Sequence, residues 1–263
     1  MNKIILLLAA LSFSHADYGF NINHIVEEVA RSGERYYRDS IPNDYPPERR
    51  EIQVENSGQL HFPLMYEDLF SLDNCDKVID DLAWTACYRN DMKLSTVISY
   101  KLRGSDLRSG YIEKRPDFYG DNRVRSKYRA QYGDYSRSGY DRGHSRSHAS
   151  TAWDRRLLYH TYSMVNIWPQ RPSLNRDIWI KAEKYERLIA RELGMVNVVN
   201  IADTRGSTET IGRHRVLVPR GFYKIIYNDR ADFRKCFYYR NIDSNPAEDT
   251  FRSHEIDCRN IRY

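Results

Sequence analysis

The sequence predicts a single α+β domain with a mixed or antiparallel central sheet and flanking helices. Three observations carry this. From about Leu82 to Leu102 the chain is rich in Trp, Thr, Tyr, Val and Ile around Arg89-Asn90-Asp91, the pattern of a strand, a turn and a strand. Arg176 to Leu193 has the pattern of a helix, closed by Gly194 as a C-terminal stop. Met195 to Ile201 and Val216 to Tyr227 follow as strands. Strands and helices come in runs rather than as alternating βαβ units, which selects α+β over a doubly wound sheet.

At the N-terminus, Met1 to Ala16 has one early cation, Lys3, then the apolar run Ile4 to Leu11, and ends Ser14-His15-Ala16. That is the layout of a cleaved export signal, with cleavage expected after Ala16. The run is far shorter than the roughly 20 residues a bilayer span requires. No later segment is apolar enough to anchor the chain, so a soluble protein, periplasmic or secreted, without stable membrane association is expected. The competing reading is a buried N-terminal helix, which the polar Asp17-Tyr18-Gly19 does not continue. Residues 17 to 59 follow as a short amphipathic helix between Asn21 and Arg38, with Ile22, Ile25, Val26 and Val29 on one side, and an extended connector through Pro42, Pro46 and Pro47. The main domain is placed at 60 to 263.

Arg103 to Gly139 is polar and rich in Arg, Tyr and Gly, a long irregular loop of the kind that usually serves function. Ala152 to Tyr162 can form a helix and Ser163 to Ile167 a short strand.

The formal charge of +5 falls to +4 without Lys3, a balance that permits a polyanionic partner without requiring one. The 21 tyrosines often neighbour arginine, as in Tyr135-Ser136-Arg137, and such surfaces can stack bases and hold phosphates. For most of them, a half-buried place in a strand is at least as good an account. The four cysteines, Cys75, Cys87, Cys236 and Cys258, include no Cys-x-x-Cys. An even count behind an export signal suggests disulfides. Of the three pairings, the local one, Cys75 with Cys87 and Cys236 with Cys258, is preferred.

Chemistry concentrates in Gly139-Tyr140-Asp141-Arg142-Gly143-His144, which puts a base, a phosphate-binding cation and an anchoring acid within a few residues. Phosphodiester hydrolysis needs a base for water, a cation against the phosphorane charge, and help for the leaving oxygen. A histidine titrating near neutrality suits the first task. Standing alone, the string is better explained by a surface turn. It is followed by Asn166-Ile167-Trp168-Pro169-Gln170, then Asn175, Trp179 and Glu183 at four-residue spacing.

These three segments, in this order, resemble the DNA/RNA non-specific endonuclease family, whose active site is of the ββα-metal type. Val218-Pro219-Arg220-Gly221-Phe222-Tyr223-Lys224-Ile225 is similar to that family's C-terminal strand, and the resemblance covers roughly residues 60 to 245. It implies cleavage of DNA and RNA by a metal-dependent endonuclease, with His144 as general base and Asn175 as direct ligand to one Mg²⁺ or Mn²⁺. Eight helical residues rise about 12 Å, so Glu183 cannot share the ion directly with Asn175 and is assigned a water-mediated role. Arg142 would contact phosphate, Asn166 would support the site and meet the substrate, and Asp141 would brace the loop. The resemblance also implies an arginine upstream of the main motif. Arg108 is the choice, with Arg103 and Arg115 as alternatives.

His144 and His148 also stand four apart, as zinc ligands on a helix do. No carboxylate lies between them where a zinc protease needs one, and Arg146 beside a dication would be unfavourable. His148 is therefore expected to face solvent or substrate, and His61, His160, His214 and His254 to be structural. The reading from another class is a non-catalytic module that binds nucleic acid or another polyanion. Oligomeric state is left open.

Overall fold

The computed structural model describes residues 69–71, 74–243, 249 and 251–262. The expected export signal, the helix between Asn21 and Arg38, the proline-rich connector and His61 lie outside them. A seven-stranded, wholly antiparallel sheet dominates, in the order β1 (Lys77–Asp80), β2 (Thr85–Arg89), β3 (Leu94–Arg103), β6 (Met195–Asp203), β9 (Gly221–Asn228), β10 (Phe233–Arg240) and β11 (Glu255–Ile256). Two short ribbons accompany it: β4 (Asp141–His144) with β5 (Ile167–Gln170), and β7 (Thr210–Ile211) with β8 (Val216–Leu217). Helices α1 (Arg155–Thr161) and α2 (Trp179–Glu192) complete the α+β architecture. No helix among the described residues is long and apolar enough to cross a membrane.

The expected hairpin at 82–102 is β2–β3, with one refinement. Cys87 faces Val97 and Tyr88 faces Ser95, so Thr96 is an extra residue, a β-bulge. The bulge turns Ser95 towards β5, where its carbonyl accepts from Trp168 Nε1 at 2.7 Å. The run Val216 to Tyr227 is two strands rather than one. Pro219 lacks the N–H a ladder requires, so the chain breaks there and restarts at Gly221. The strand expected at 163–167 is displaced: Met164–Asn166 forms a 3-10 turn and the strand runs Ile167–Gln170.

Side-chain alternation gives the sheet two unlike faces. One carries Tyr100, Asn200, Lys224, Phe222 and Tyr239 and receives α2 and the β4–β5 ribbon. Helix α2 docks through Trp179, Ala182, Tyr185, Glu186, Ile189 and Ala190, all buried at helical spacing. Full burial of a large apolar side chain stabilises by about 1.5–3 kcal/mol, so this stripe outweighs the helix's intrinsic propensity. Leu193 closes the helix and Gly194 follows at φ +79°, the left-handed stop foreseen there. The opposite face is an apolar cluster of Val97, Val199, Ile201, Ile225 and Tyr227 with Leu69 and Phe70. Both disulfides, Cys75–Cys87 and Cys236–Cys258, lie in it and follow the preferred local pairing.

Candidate active site

The β4–β5 ribbon and the helix after it form a ββα unit. Asp141 opposes Gln170, Arg142 opposes Pro169, Gly143 opposes Trp168 and His144 opposes Ile167. Gly143 is required by close approach, since a Cβ there would lie 2.1 Å from Gln170 Oε1. Trp168 stacks on Phe222 at 5.1 Å, and Asn241 donates to the carbonyls of Pro169 and Pro219, which fastens the ribbon to the sheet.

His144 closes β4. Its carbonyl accepts from Trp179 Nε1 at 3.0 Å, tying the strand to the first turn of α2. Its ring lies 5.3 Å from Phe118 and 4.9 Å, edge-on, from Tyr162. Nε2 is buried without a hydrogen-bond partner. Burial, then repulsion from His148 and Arg115, lowers the imidazole pKa to about 3. The ring is therefore neutral at pH 7, the form that accepts a proton.

Asn175 sits in a π-helical turn, Leu174–Ile178, that leads into α2. Such wide turns often mark functional sites, and sequence periodicity gave no sign of this one. The Asn175 amide N–H₂ donates to Asp141 Oδ2 at 3.0 Å, and Arg176 forks onto the same carboxylate at 2.8 and 2.7 Å. Burial would raise the Asp141 pKa, but Arg176 and Asn175 outweigh it and hold the carboxylate below its ordinary range. Asp141 thus orients Asn175, and no described donor reaches the amide oxygen of Asn175. Glu183 lies further along α2. Burial pushes its pKa up to about 7, with Arg187 opposing and Glu186 reinforcing the rise.

No group of three His, Cys, Asp or Glu side chains gathers among the described residues. The oxygen donors that the ββα unit offers are the Asn175 amide and, further along the same helical segment, the Glu183 carboxyl. Two hard oxygen donors suit a small, largely hydrated dication better than Zn²⁺.

Other expected residues fall differently. Asn166 is fully buried, accepting from Arg146 N–H at 2.9 Å and donating to the carbonyls of Arg146 and Thr161. It fixes the chain just after His144. Arg108 is exposed in the turn after β3, where the neighbouring Leu107 carbonyl accepts from Arg191 at the C-terminal end of α2. Arg115, not Arg108, acts on His144, His148 and Tyr162. His148 is buried rather than facing solvent or substrate, with Nδ1 on the Tyr162 hydroxyl at 3.0 Å and Nε2 on the Ile112 carbonyl at 2.9 Å. His160, His214 and His254 pair with Asp81, Asp134 and Asp249. Arg142 lies over Tyr132 at 4.3 Å and Phe118 at 5.5 Å.

Behind α2 runs a buried polar network the sequence did not announce. Lys224 Nζ lies 2.5 Å from Glu186 Oε2, both side chains fully buried. Tyr100 and Ser150 donate to the same carboxylate at 2.9 and 3.0 Å, and Arg187 donates to Ser147 at 3.1 Å. The available signal was spacing, since Arg187 follows Glu183 by one helical turn.

A family model of DNA/RNA non-specific endonucleases matches residues 64–262. The chain belongs to that family. It is 30% identical over 159 residues to mitochondrial endonuclease G of Bos taurus, covering 57% of this chain and 53% of that protein, with the Homo sapiens protein alike at 30%, 57% and 54%. A nuclease of Nostoc sp. is 29% identical over 140 residues, 53% of this chain and 50% of the relative. The chain thus spans about half the length of these curated relatives. The solved EndoG/EndoGI complex shares the fold at a TM-score of 0.61 and 22% identity, over 68% of this chain and 80% of that one. The matched span takes in β4, β5, the π turn and α2.

Proposed function

We propose that the protein is a metal-dependent endonuclease that hydrolyses phosphodiester bonds of DNA and RNA with little sequence preference. The observation that carries this is a single strand, β4, that bears the neutral, unpartnered His144 imidazole at its end and, at Asp141, the carboxylate that orients Asn175 with its amide oxygen free. His144 takes the proton of the attacking water. Asn175 would hold one Mg²⁺, or Mn²⁺, directly and Glu183 through water. When bound, the ion supplies charge neutralisation at the phosphate and the leaving oxygen. Arg142 binds phosphate, and Arg115 replaces Arg108 as the upstream arginine facing the developing charge. Tyr162 and Phe118 hold the imidazole plane. Cleavage on the 3′ oxygen side leaves a 5′-phosphate and a 3′-hydroxyl.

Contacts to phosphate rather than base edges give weak sequence preference and affinity that falls steeply with salt. We assign residues 1–16 to an export signal. The two disulfides support an oxidising destination, periplasmic or extracellular.

The test is digestion of supercoiled plasmid by the mature protein in Mg²⁺, in EDTA, and by His144→Ala. Fragmentation that needs the ion and His144, with ends that T4 ligase rejoins, is expected. Undiminished activity in EDTA sinks the metal assignment. Tight binding without cleavage under any divalent ion identifies a polyanion-binding module instead.

A further inference from the structure

Beside the ββα unit lies a hollow of about 500 Å³, lined by Tyr132, Arg137, Asp141, Arg142 and Arg176 among others, in which the mechanism above uses Asp141 and Arg142 but neither Tyr132 nor Arg137. We infer that it is a subsite for one nucleotide flanking the scissile phosphate, its base stacked on Tyr132 and its phosphate held by Arg137. This rests on the nuclease reading for the word scissile, but not for the binding itself.

Three features converge. The first is continuity with the reacting centre. Phe118 lies 5.3 Å from the His144 ring and 6.2 Å from the Tyr132 ring, and the Arg142 guanidinium covers both Phe118 and Tyr132. A file of rings and one cation therefore leads from the base outward into the hollow. Tyr132 is 50% exposed, open enough to accept a further ring.

The second is charge. The hollow holds Arg137, Arg142 and Arg176 against Asp141, whose carboxylate is already occupied by Arg176 and Asn175. Arg142 acts on Asp141 through its charge without a salt bridge, and among the described residues no salt bridge joins a carboxylate to Arg137, so two cations face an open space sized for a small ligand.

The third is the backbone of Arg137, at φ +56°. Only glycine adopts this left-handed conformation freely. The turn does not need the arginine side chain, because Ser138 holds it by donating to the Tyr135 carbonyl and accepting from the Tyr140 N–H. An exposed arginine kept where glycine would be relaxed points to a task for its guanidinium.

The experiment measures binding of a short fluorescein-labelled single-stranded DNA oligonucleotide by anisotropy in EDTA, so that cleavage plays no part. Tyr132→Ala and Arg137→Gly should each raise Kd about five- to tenfold, with Tyr132→Phe close to wild type. Arg137→Gly should also reduce the slope of log affinity against log salt by about 0.7, one phosphate of a single strand. Its thermal midpoint should equal or exceed that of wild type, since the turn is relieved. In Mg²⁺, KM for single-stranded DNA should rise with kcat held, while hydrolysis of bis(p-nitrophenyl) phosphate, which has no nucleobase, should not change. Folded variants with wild-type Kd and salt slope would overturn the subsite, as would equal losses on both substrates. A wild type that binds through these residues but cleaves nothing leaves the subsite standing and removes the nuclease reading. A wild type that cleaves while both variants bind normally does the reverse.

Discussion

The two faces of the central sheet are held by different physics. On the face that carries the ββα unit, buried polar groups are many and interlocked: Lys224, Glu186, Tyr100, Asn200, Ser145 and Ser150 share hydrogen bonds and one ion pair. On the other face, aliphatic and aromatic side chains pack around two covalent cross-links. Polar burial stabilises little, because desolvation offsets most of what pairing returns, yet it fixes geometry: a half-satisfied network is costly, so one arrangement is strongly preferred. Apolar packing and disulfides stabilise without demanding such exact placement of charge. The chain thus orients its candidate site on one side and secures its fold on the other.

Substitutions can break this division, and the largest effect belongs to the reacting side. His144→Ala should slow plasmid cleavage by about 10²–10⁴-fold, the usual worth of a positioned base, with circular dichroism and thermal midpoint near wild type. A large loss of stability instead would show that the imidazole is structural.

Next comes the buried pair. Glu186→Ala leaves Lys224 charged and uncompensated, so urea unfolding should show a loss of about 3–5 kcal/mol. The double variant Glu186→Leu/Lys224→Met should recover most of that stability but not the cleavage rate. Recovery of both would make the network mere packing.

On the opposite face, removing Cys75–Cys87 by paired alanine substitution should lower stability by about 3 kcal/mol in the chain-entropy model. Plasmid cleavage well below the melting temperature should be unchanged. A fall in turnover of the folded protein would mean that the faces are coupled.

The smallest effect is on pH dependence in EDTA. Folded Glu183 keeps its proton up to about pH 7, whereas an ordinary carboxyl releases it near 4.5. Folding takes up a proton across that interval, so this residue makes stability fall as pH rises through it. Glu183→Gln should remove the decline and melt a few degrees above wild type at pH 8, with little difference at pH 4. His144 acts with the opposite sign: its folded pKa lies below 6.5, so stability falls as pH drops from 6.5. In His144→Ala the acid-side decline should flatten, and differential scanning calorimetry across pH reads both. Slopes identical in all three proteins would mean that neither site titrates as described.

Much of this was legible where the pattern is local. The β2–β3 hairpin, the body of α2 and its end at Gly194 follow from composition and stop signals within a few residues, whereas the π turn at Leu174–Ile178 displaces the helix start from the expected Arg176 to Trp179. Strand β5 was misplaced because Pro169 argues against a strand. It is tolerated because β4–β5 is a ribbon of only two strands, in which an N–H can go unused. Asn166 was assigned to substrate because an amide in a motif can serve either purpose. Its burial depends on Thr161 and Arg146, which no spacing rule connects to it. Arg108 was preferred to Arg115 on position in the sequence alone, and the path by which the loop from 103 to 139 brings the charge of Arg115 to bear on His144 has no signature in spacing. Each structural histidine is balanced by an aspartate far off in sequence or beyond a turn, so the pairs had no local signature.

The cross-links have a further consequence at the margins of the sheet. An open sheet ends in two strands with unused backbone donors and acceptors, which invite pairing with another chain. Here the outermost strands are short, four residues in β1 and two in β11. One disulfide joins Cys75, just before β1, to Cys87 within β2, and the other joins Cys258, just after β11, to Cys236 within β10. The staples therefore do more than limit the unfolded chain. They keep each border strand of the described sheet from peeling away and exposing the longer strand beneath it, so that edge-to-edge polymerisation is suppressed.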